Sequence, residues 1–380
     1  MAMAKEKRIP LNPFVLTGYV SPEYFCDREK ETEKIMSALL NGRNITLTSP
    51  RRMGKTGLIH HVFNEMKRNS GVRCFYVDLY QTDSLELLVK KFADTVLGTL
   101  DSKEDRIVKG VVSFFKMLRP VVTIDPMTGE PSFKVNVEPG QGEYSLSEIF
   151  AYMEQSEYRC IVAFDEFQTI AGYADKNVEA LLRSHIQRLT NVNFIFSGSQ
   201  RHVLENMFVS ASRPFYQSTQ MMPLGAIDKS AYYDFSCAKL RSHGQTMDSS
   251  VFDYLHTKLF AHTWYVHALL NRIYETGIAN IDKALVDNVI DDILMENEGT
   301  FQTFLRLVTP VQTRVLYAIA AEGTIREIQG KNFLTKHGLG AASTVKTAVK
   351  SLVEKEMLMD NCGEYQIYDR FFNLWLRTKH

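Results

Sequence analysis

The chain has 380 residues, enough for two or three compact domains that each bury a core. It is 45% hydrophobic and 23% charged, with 21 Gly and 11 Pro, which excludes collagen-like, low-complexity and wholly disordered chains. Forty-four Lys and Arg balance 44 Asp and Glu, so contact with nucleic acid would have to come from a local patch. No apolar run reaches the ~18 residues of a membrane span. The N-terminal MAMAKEKRIPLNPF carries charges but no apolar core of a secretory signal, so the expected location is the cytoplasm, with no membrane partner.

From Asn44 to about Leu224, short β-branched runs alternate with helix-period segments. Strands are expected at Asn44–Thr48, Val72–Leu79, Cys160–Asp165, Asn193–Ser197 and roughly Phe215–Leu224. Helices are expected between them at Gly54–Arg68, Ser84–Leu100, Ser145–Gln155 and Asn177–Leu189. Strands joined by helical crossovers predict an α/β domain with a mostly parallel sheet and helices on both faces. Pro120–Ile124, DPMTGEP and Ser132–Val137 read as a hairpin turning at Pro126 and Gly129, an insertion over about residues 119–140.

After Asp228 strand signals nearly vanish. Asp228–Arg241, Ser249–Leu259, Trp264–Thr276 and Asp282–Glu296 read as a helical bundle. Beyond Pro310 come a helix at Val311–Ala321, the segment Asn332–Gly338 and a helix from Ser343 to Lys355. A hairpin turning at Asn361-Cys362-Gly363 follows, which completes the outline of a winged helix. The expected domains are thus 1–227, 228–308 and 309–380.

The five cysteines, Cys26, Cys74, Cys160, Cys237 and Cys362, are odd in number, widely spaced and without a CxxC. Reduced, buried thiols are expected rather than disulfides or a zinc ribbon. No HExxH occurs, and the neighbours His60 and His61 do not share a helix face.

The strongest motif is LTSPRRMGKT, Leu47 to Thr56, which leaves a strand and opens a helix. In a GxxxxGK[ST] loop the backbone N–H groups and the helix N-terminus, worth ~+0.5 charge, wrap phosphate oxygens. The expected cradle is Ser49, Pro50, Arg51, Arg52, Met53, Gly54, Lys55, Thr56 and Gly57, with Ser49 in place of the first glycine. Lys55 would reach the β- and γ-phosphates of a nucleoside triphosphate, and the Thr56 hydroxyl would hold Mg²⁺. Arg51 and Arg52 could contact the γ-phosphate or, the preferred reading, pair with acids of the helical region and report nucleotide state.

The partner acid lies in CIVAFDEFQ, where Asp165 ends an apolar strand about 110 residues after Lys55. Ligands of such sheets sit beyond the strands' carboxyl ends, so Asp165 is expected in the magnesium shell. Glu166 could orient a water or take its proton, or the pair could merely cap the next helix. The next strand, NFIFSGSQ, offers Ser197 and Ser199 for the water or the γ-phosphate, with Ser199 as a simple helix cap the alternative.

SPRRMGKT, FDEFQ and FSGSQ, in this order and spacing, resemble the AAA+-related archaeal ATPase family, allied to the STAND signalling ATPases. YFCDREKETEKI is similar to that family's FxGRexEl segment near the adenine, which implies Phe25, Asp27 and Arg28 at the base. YDRFFNLWL resembles its DPLFxxWL tail, with Arg370 where proline is usual. The resemblance implies a P-loop NTPase sheet with a helical lid and a C-terminal winged-helix domain, binding ATP and Mg²⁺. It departs at His262-Thr263-Trp264-Tyr265, where a small-Gly-x-Pro turn is usual, and at Arg213-Pro214-Phe215-Tyr216-Gln217-Ser218, where YGR is usual. Arg213 and Arg201 are expected to form structural ion pairs rather than to supply the missing arginine.

The leading expectation is a Mg²⁺-dependent ATPase acting as a switch, with nucleotide between the α/β domain and the lid. The alternative is an ATP-regulated DNA-binding protein whose hydrolysis is slow or absent; a kinase ranks last for want of an acceptor signature. Residues 309–380 hold ten Lys/Arg against seven Asp/Glu, and the presumed recognition helix exposes Ser343, Thr344, Lys346, Thr347 and Lys350. It lacks the Arg, Asn or Gln that read base edges, so weak, non-specific DNA contact or a protein partner is expected there.

Overall fold

The computed structural model describes residues 10–100, 118–124, 131–138, 140–175, 177–361 and 363–379. Two compact units emerge, Thr17–Ile227 and a second made of Asp228 onward together with the segment ending at Leu16.

The first unit is an α/β sandwich. Its strands are β1 (Ile45–Thr48), β2 (Val72–Asp78), β5 (Arg159–Asp165), β6 (Val192–Gly198) and β7 (Gln220–Pro223). They form one parallel sheet in the order β2-β5-β6-β1-β7. A parallel sheet is covered on both faces, so its strands alternate between two apolar environments rather than between core and water. Phe164, Phe194 and Phe196 face one cluster with Phe167, Phe208 and Phe215. Ile161, Ala163 and Ile195 face another with Leu58, Ile59 and Val62 of α2 (Lys55–Met66) and Ile35 and Leu39 of α1 (Glu29–Leu40). The first face is also covered by α3 (Leu85–Leu100), α4 (Gly142–Glu154), α5 (Val178–Ile186) and α6 (Arg201–Val209).

The expected hairpin is present as β3 (Leu118–Ile124) paired antiparallel with β4 (Pro131–Val137), a separate two-stranded sheet. Its turn, with Pro126 and Gly129, lies outside the described residues, as does Cys362. The expected strand Phe215–Leu224 is shorter. Only Gln220–Pro223 joins the ladder, because Phe215 lies in a turn and is buried against Phe167, Phe196 and Phe208. An apolar residue buried under the sheet gives the same sequence signal as one in it.

The second unit carries α7 (Lys229–Arg241), α8 (Ser249–Lys258), α9 (Thr263–Thr276) and α10 (Lys283–Glu296). The described N-terminal segment packs with them. Phe14 is fully buried with its ring 5.4 Å from His267, and Asn12 and Asn271 exchange bonds with backbone carbonyls there. A helix the sequence pattern did not suggest, α11 (Glu298–Arg306), leads into the winged helix. This comprises α12 (Pro310–Glu322), α13 (Lys331–Lys336), α14 (Ala342–Glu354), the hairpin β8 (Leu358–Asn361) and β9 (Glu364–Ile367), and α15 (Arg370–Thr378). Thr309 and Gln312 form a capping box at the start of α12. Among the described residues no helix is long and apolar enough to cross a membrane.

Candidate functional site

β1 runs inside the sheet between β6 and β7, and β5 lies two strands away, with β6 between them. The loop leaving β1 therefore meets the carboxyl ends of β5 and β6, where a ligand of such a sheet sits. Gly54 opens α2 at φ 95°, a left-handed conformation natural to glycine, and Arg52 adopts φ 62°. Ser49, Met53 and Lys55 are buried.

Lys55 folds its ammonium into the loop. Nζ donates to Ser49 O at 2.9 Å, Ser49 Oγ at 3.1 Å and Pro50 O at 3.0 Å. Burial pulls its pKa down to about 8 from the usual 10.5, opposed by the nearby carboxylates of Glu166 and Asp165 and assisted by Arg51. Burying a cation costs stability unless an anion compensates. This loop carries that cost at its mouth.

Thr56 Oγ1 donates to Asp165 Oδ2 at 2.7 Å, joining the first turn of α2 to the end of β5. Tyr76 of β2 donates to the same oxygen at 2.7 Å, and Asp165 Oδ1 accepts from Glu166 N at 3.0 Å. A hydroxyl and a carboxylate oxygen in contact form a hard-oxygen donor pair, which fits Mg²⁺ when phosphate and water supply the other ligands. Thr56 and Asp165 would hold the ion.

Glu166 stands at φ 53° and precedes a 3₁₀ turn, Phe167–Gly172, without capping it. Its Oε2 instead accepts from Gln168 Nε2 at 2.5 Å and from Ser199 Oγ at 2.8 Å. Ser199 Oγ in turn accepts from Arg51 Nε at 3.2 Å, so loop, acid and β6 end are linked. Ser199 forms no side-chain cap on α6. Ser197 is fully buried and its Oγ has no hydrogen-bond partner among the described residues.

Around the start of α2, Phe25 stacks on His61 with ring centres 4.5 Å apart and lies against Gly57, where a Cβ would be 3.3 Å from its ring. Tyr19 OH and His61 Nδ1 are 3.0 Å apart, and His60 lies 4.5 Å from the Tyr76 ring. Burial lowers the pKa of both histidines. Asp27 and Arg28 both take positive φ. The buried Arg28 guanidinium is occupied with Gly225 O at 2.7 Å, Ala226 O and Glu31, so it anchors this segment behind β7. Arg213 pairs with Glu179 and Arg201 with Glu205.

Two site contributors escaped the motif reading. Gln168 was visible as the last letter of FDEFQ, but nothing in the sequence aims it back at Glu166. Tyr76 sits in a strand run, VRCFYVD, whose pairing with β5 brings its hydroxyl to Asp165.

Comparison with known proteins bears on the fold and the family. The comparison with curated proteins gives no match. Among solved structures, a Walker-type ATPase of Pyrococcus abyssi superposes with a TM-score of 0.65 at 18% identity, covering 96% of this chain and 99% of that one. An ORC2 protein of Aeropyrum pernix, in ADPNP and ADP complexes, gives 0.58 at 14% identity over 97% and 98%. An ORC1 protein of the same organism, in complex with DNA, gives 0.53 at 13% over 97% and 96%. At these identities the likeness is one of fold, a P-loop NTPase sheet with a C-terminal winged helix. Residues 299–378 match a winged helix domain model. Residues 25–233, more than half of the chain, match the model described as "ATPase domain predominantly from Archaea", and the chain belongs to that family.

Proposed function

We propose that the protein binds ATP with Mg²⁺ in the loop Ser49–Gly57, hydrolyses it, and acts as a nucleotide-driven switch. The observation that carries this reading is the 2.7 Å bond from Thr56 to Asp165, beside the buried Lys55. A cation, a hydroxyl and a carboxylate are thereby assembled around one helix N-terminus. Lys55 supplies charge to the phosphates, Thr56 and Asp165 hold the metal, and Glu166 takes a proton from water. When bound, Mg²⁺ would neutralise charge on the phosphate oxygens. Phe25 offers a ring face to the base, while Arg28 acts on the backbone that presents Phe25. The engagement of Arg51 with Ser199 supports a role in relating the loop to Glu166, and Ser199 acts on the carboxylate; no contact favours a role for Ser197.

Phosphate release from ATP tests the hydrolytic part. Glu166→Gln keeps size and hydrogen bonding but cannot accept a proton, and a positioned general base supplies ~10²–10⁴-fold. The variant should retain ATP affinity and lose turnover to that extent. Unchanged release would reduce Glu166 to a structural acid.

A second reading is favoured by the winged helix itself. The face of α14 bearing Ser343, Thr344, Lys346, Thr347 and Lys350 is exposed, while Val345, Ala348 and Val349 are buried. An ORC1 protein of similar fold is seen in complex with DNA. We infer weak, non-specific DNA contact through this face, with a protein partner as the alternative occupant.

A further inference from the structure

Gln168 stands two residues beyond Glu166 in the 3₁₀ turn and is buried. Its Nε2 reaches back to Glu166 Oε2 at 2.5 Å. Ser199 donates to the same oxygen, from Oγ at 2.8 Å and from its backbone N at 3.4 Å. Among the described residues, every hydrogen bond to this carboxylate lands on Oε2.

The amide of Gln168 occupies a place cut out for it. A Cβ at Gly198 would lie 1.9 Å from Gln168 Oε1 and 3.1 Å from its Cδ, so no side chain at 198 is compatible with this pose. Gln168 Oε1 is itself buried without a hydrogen-bond partner among the described residues. A buried unsatisfied oxygen costs stability, and a methionine of similar volume would fill the space without that cost. Packing alone therefore does not account for glutamine here. Glu166 also holds a left-handed backbone, φ 53°, which is disfavoured for any residue with a side chain. Such strain persists where the surroundings fix it, and at a site it aims a side chain.

We propose that Gln168 is a positioning residue for ATP hydrolysis. Together with Ser199 it pins Glu166 by Oε2 and leaves Oε1 to receive a proton from water, with Gly198 as the notch that admits the amide. The proposal rests on the reading of Glu166 as general base. In that step the water oxygen bonds to the γ-phosphorus and the bond from γ-phosphorus to the β–γ bridging oxygen breaks. ADP leaves with that electron pair, and the water proton passes to Oε1. A carboxylate swung even 1 Å from its place can cost ~10²-fold in rate, so the pin acts on turnover rather than on affinity.

The test uses Gln168→Met, which keeps the volume and removes the amide donor. ATP affinity by calorimetry should stay within about twofold, while single-turnover phosphate release falls tenfold or more. In a Glu166→Gln background the same substitution should cause no further fall. Gly198→Ala should reproduce the loss with Gln168 intact, and should add nothing to Gln168→Ala. In ¹⁵N-glutamine-labelled protein without nucleotide, the side-chain amide resonance that vanishes in Gln168→Met should shift in Glu166→Ala. Turnover unchanged in Gln168→Met, an equal fall in both Glu166 backgrounds, or an amide resonance indifferent to Glu166→Ala would overturn the proposal. If Glu166→Gln itself retains full turnover, it is the base assignment that fails.

Discussion

The two units arrange their polar side chains in opposite ways. In Thr17–Ile227, Lys55, Thr56, Asp165, Glu166, Gln168 and Ser199 bond to one another or to the loop Ser49–Pro50, all at the carboxyl ends of neighbouring strands. In the second unit the buried polar groups lie apart from one another, some bonded to a nearby carbonyl or side chain and some, such as Asn373, with no hydrogen-bond partner among the described residues. Arg370 donates to Ile367 O and Gln366 Oε1 and lies over the Phe260 ring, 4.9 Å from its centre. Gln245 ties Ile273 O to Ile278 O, and His267 Nδ1 meets Tyr232 OH. Buried cations illustrate the contrast. Lys55 is held beside two carboxylates at a loop mouth, whereas Arg370 is enclosed where a family resemblance leads one to expect proline. Convergence marks a site; dispersal marks architecture.

The contrast can be broken from the architectural side, and acid should have the largest effect there. Burial pulls the His267 imidazole down to about 4 from its ordinary 6.5. Above pH 6.5 both folded and unfolded forms are neutral and stability is unaffected. Between pH 6.5 and 4 the unfolded chain takes up a proton that the folded one refuses, so stability falls with pH, by about 3 kcal/mol in all. Thermal melts from pH 7 to 4.5 should show this, and His267→Gln should flatten the slope. An unchanged slope in the variant would place the acid sensitivity elsewhere.

A smaller change sharpens the same point. Asp228 accepts from Ser230 N and Ala231 N at the start of α7. Asp228→Ala should lower stability by about 1 kcal/mol, read as a melting shift, with ATP affinity unchanged. Loss of ATP binding in that variant would mean the cap serves the site as well.

The smallest effect is expected on the exposed face of α14. Each phosphate contact adds ~−0.9 to the salt slope of DNA affinity, so Lys346→Ala with Lys350→Ala should flatten it by about 2. A mobility-shift titration reads this. Tight, sequence-selective binding at physiological salt would contradict the second reading, and no binding in low salt would favour a protein partner.

Much of the sheet was legible because periodicity and loop chemistry agree there. LTSPRRMGKT follows a strand and opens a helix, and FDEFQ ends the strand whose carboxyl end receives Thr56. What was not legible depends on contacts between distant segments. Tyr76 reaches Asp165 only through the pairing of β2 with β5, and Gln168 turns back to Glu166 only because Gly198 leaves room. Phe215 read as strand because burial, not pairing, sets its composition. The association of Phe14 with His267 and Asn271 spans most of the chain and leaves no local signal.

The central claim is that the loop Ser49–Gly57 is an ATP site whose charge comes from Lys55. Calorimetric titration of the full chain with ATP and Mg²⁺, wild type against Lys55→Ala, tests it most directly. Each charge-assisted bond lost should cost about 1.5–3 kcal/mol, so the variant should bind at least tenfold more weakly, to the point of no saturable heat. Equal affinity in the two proteins, or no binding by the wild type, would contradict the account.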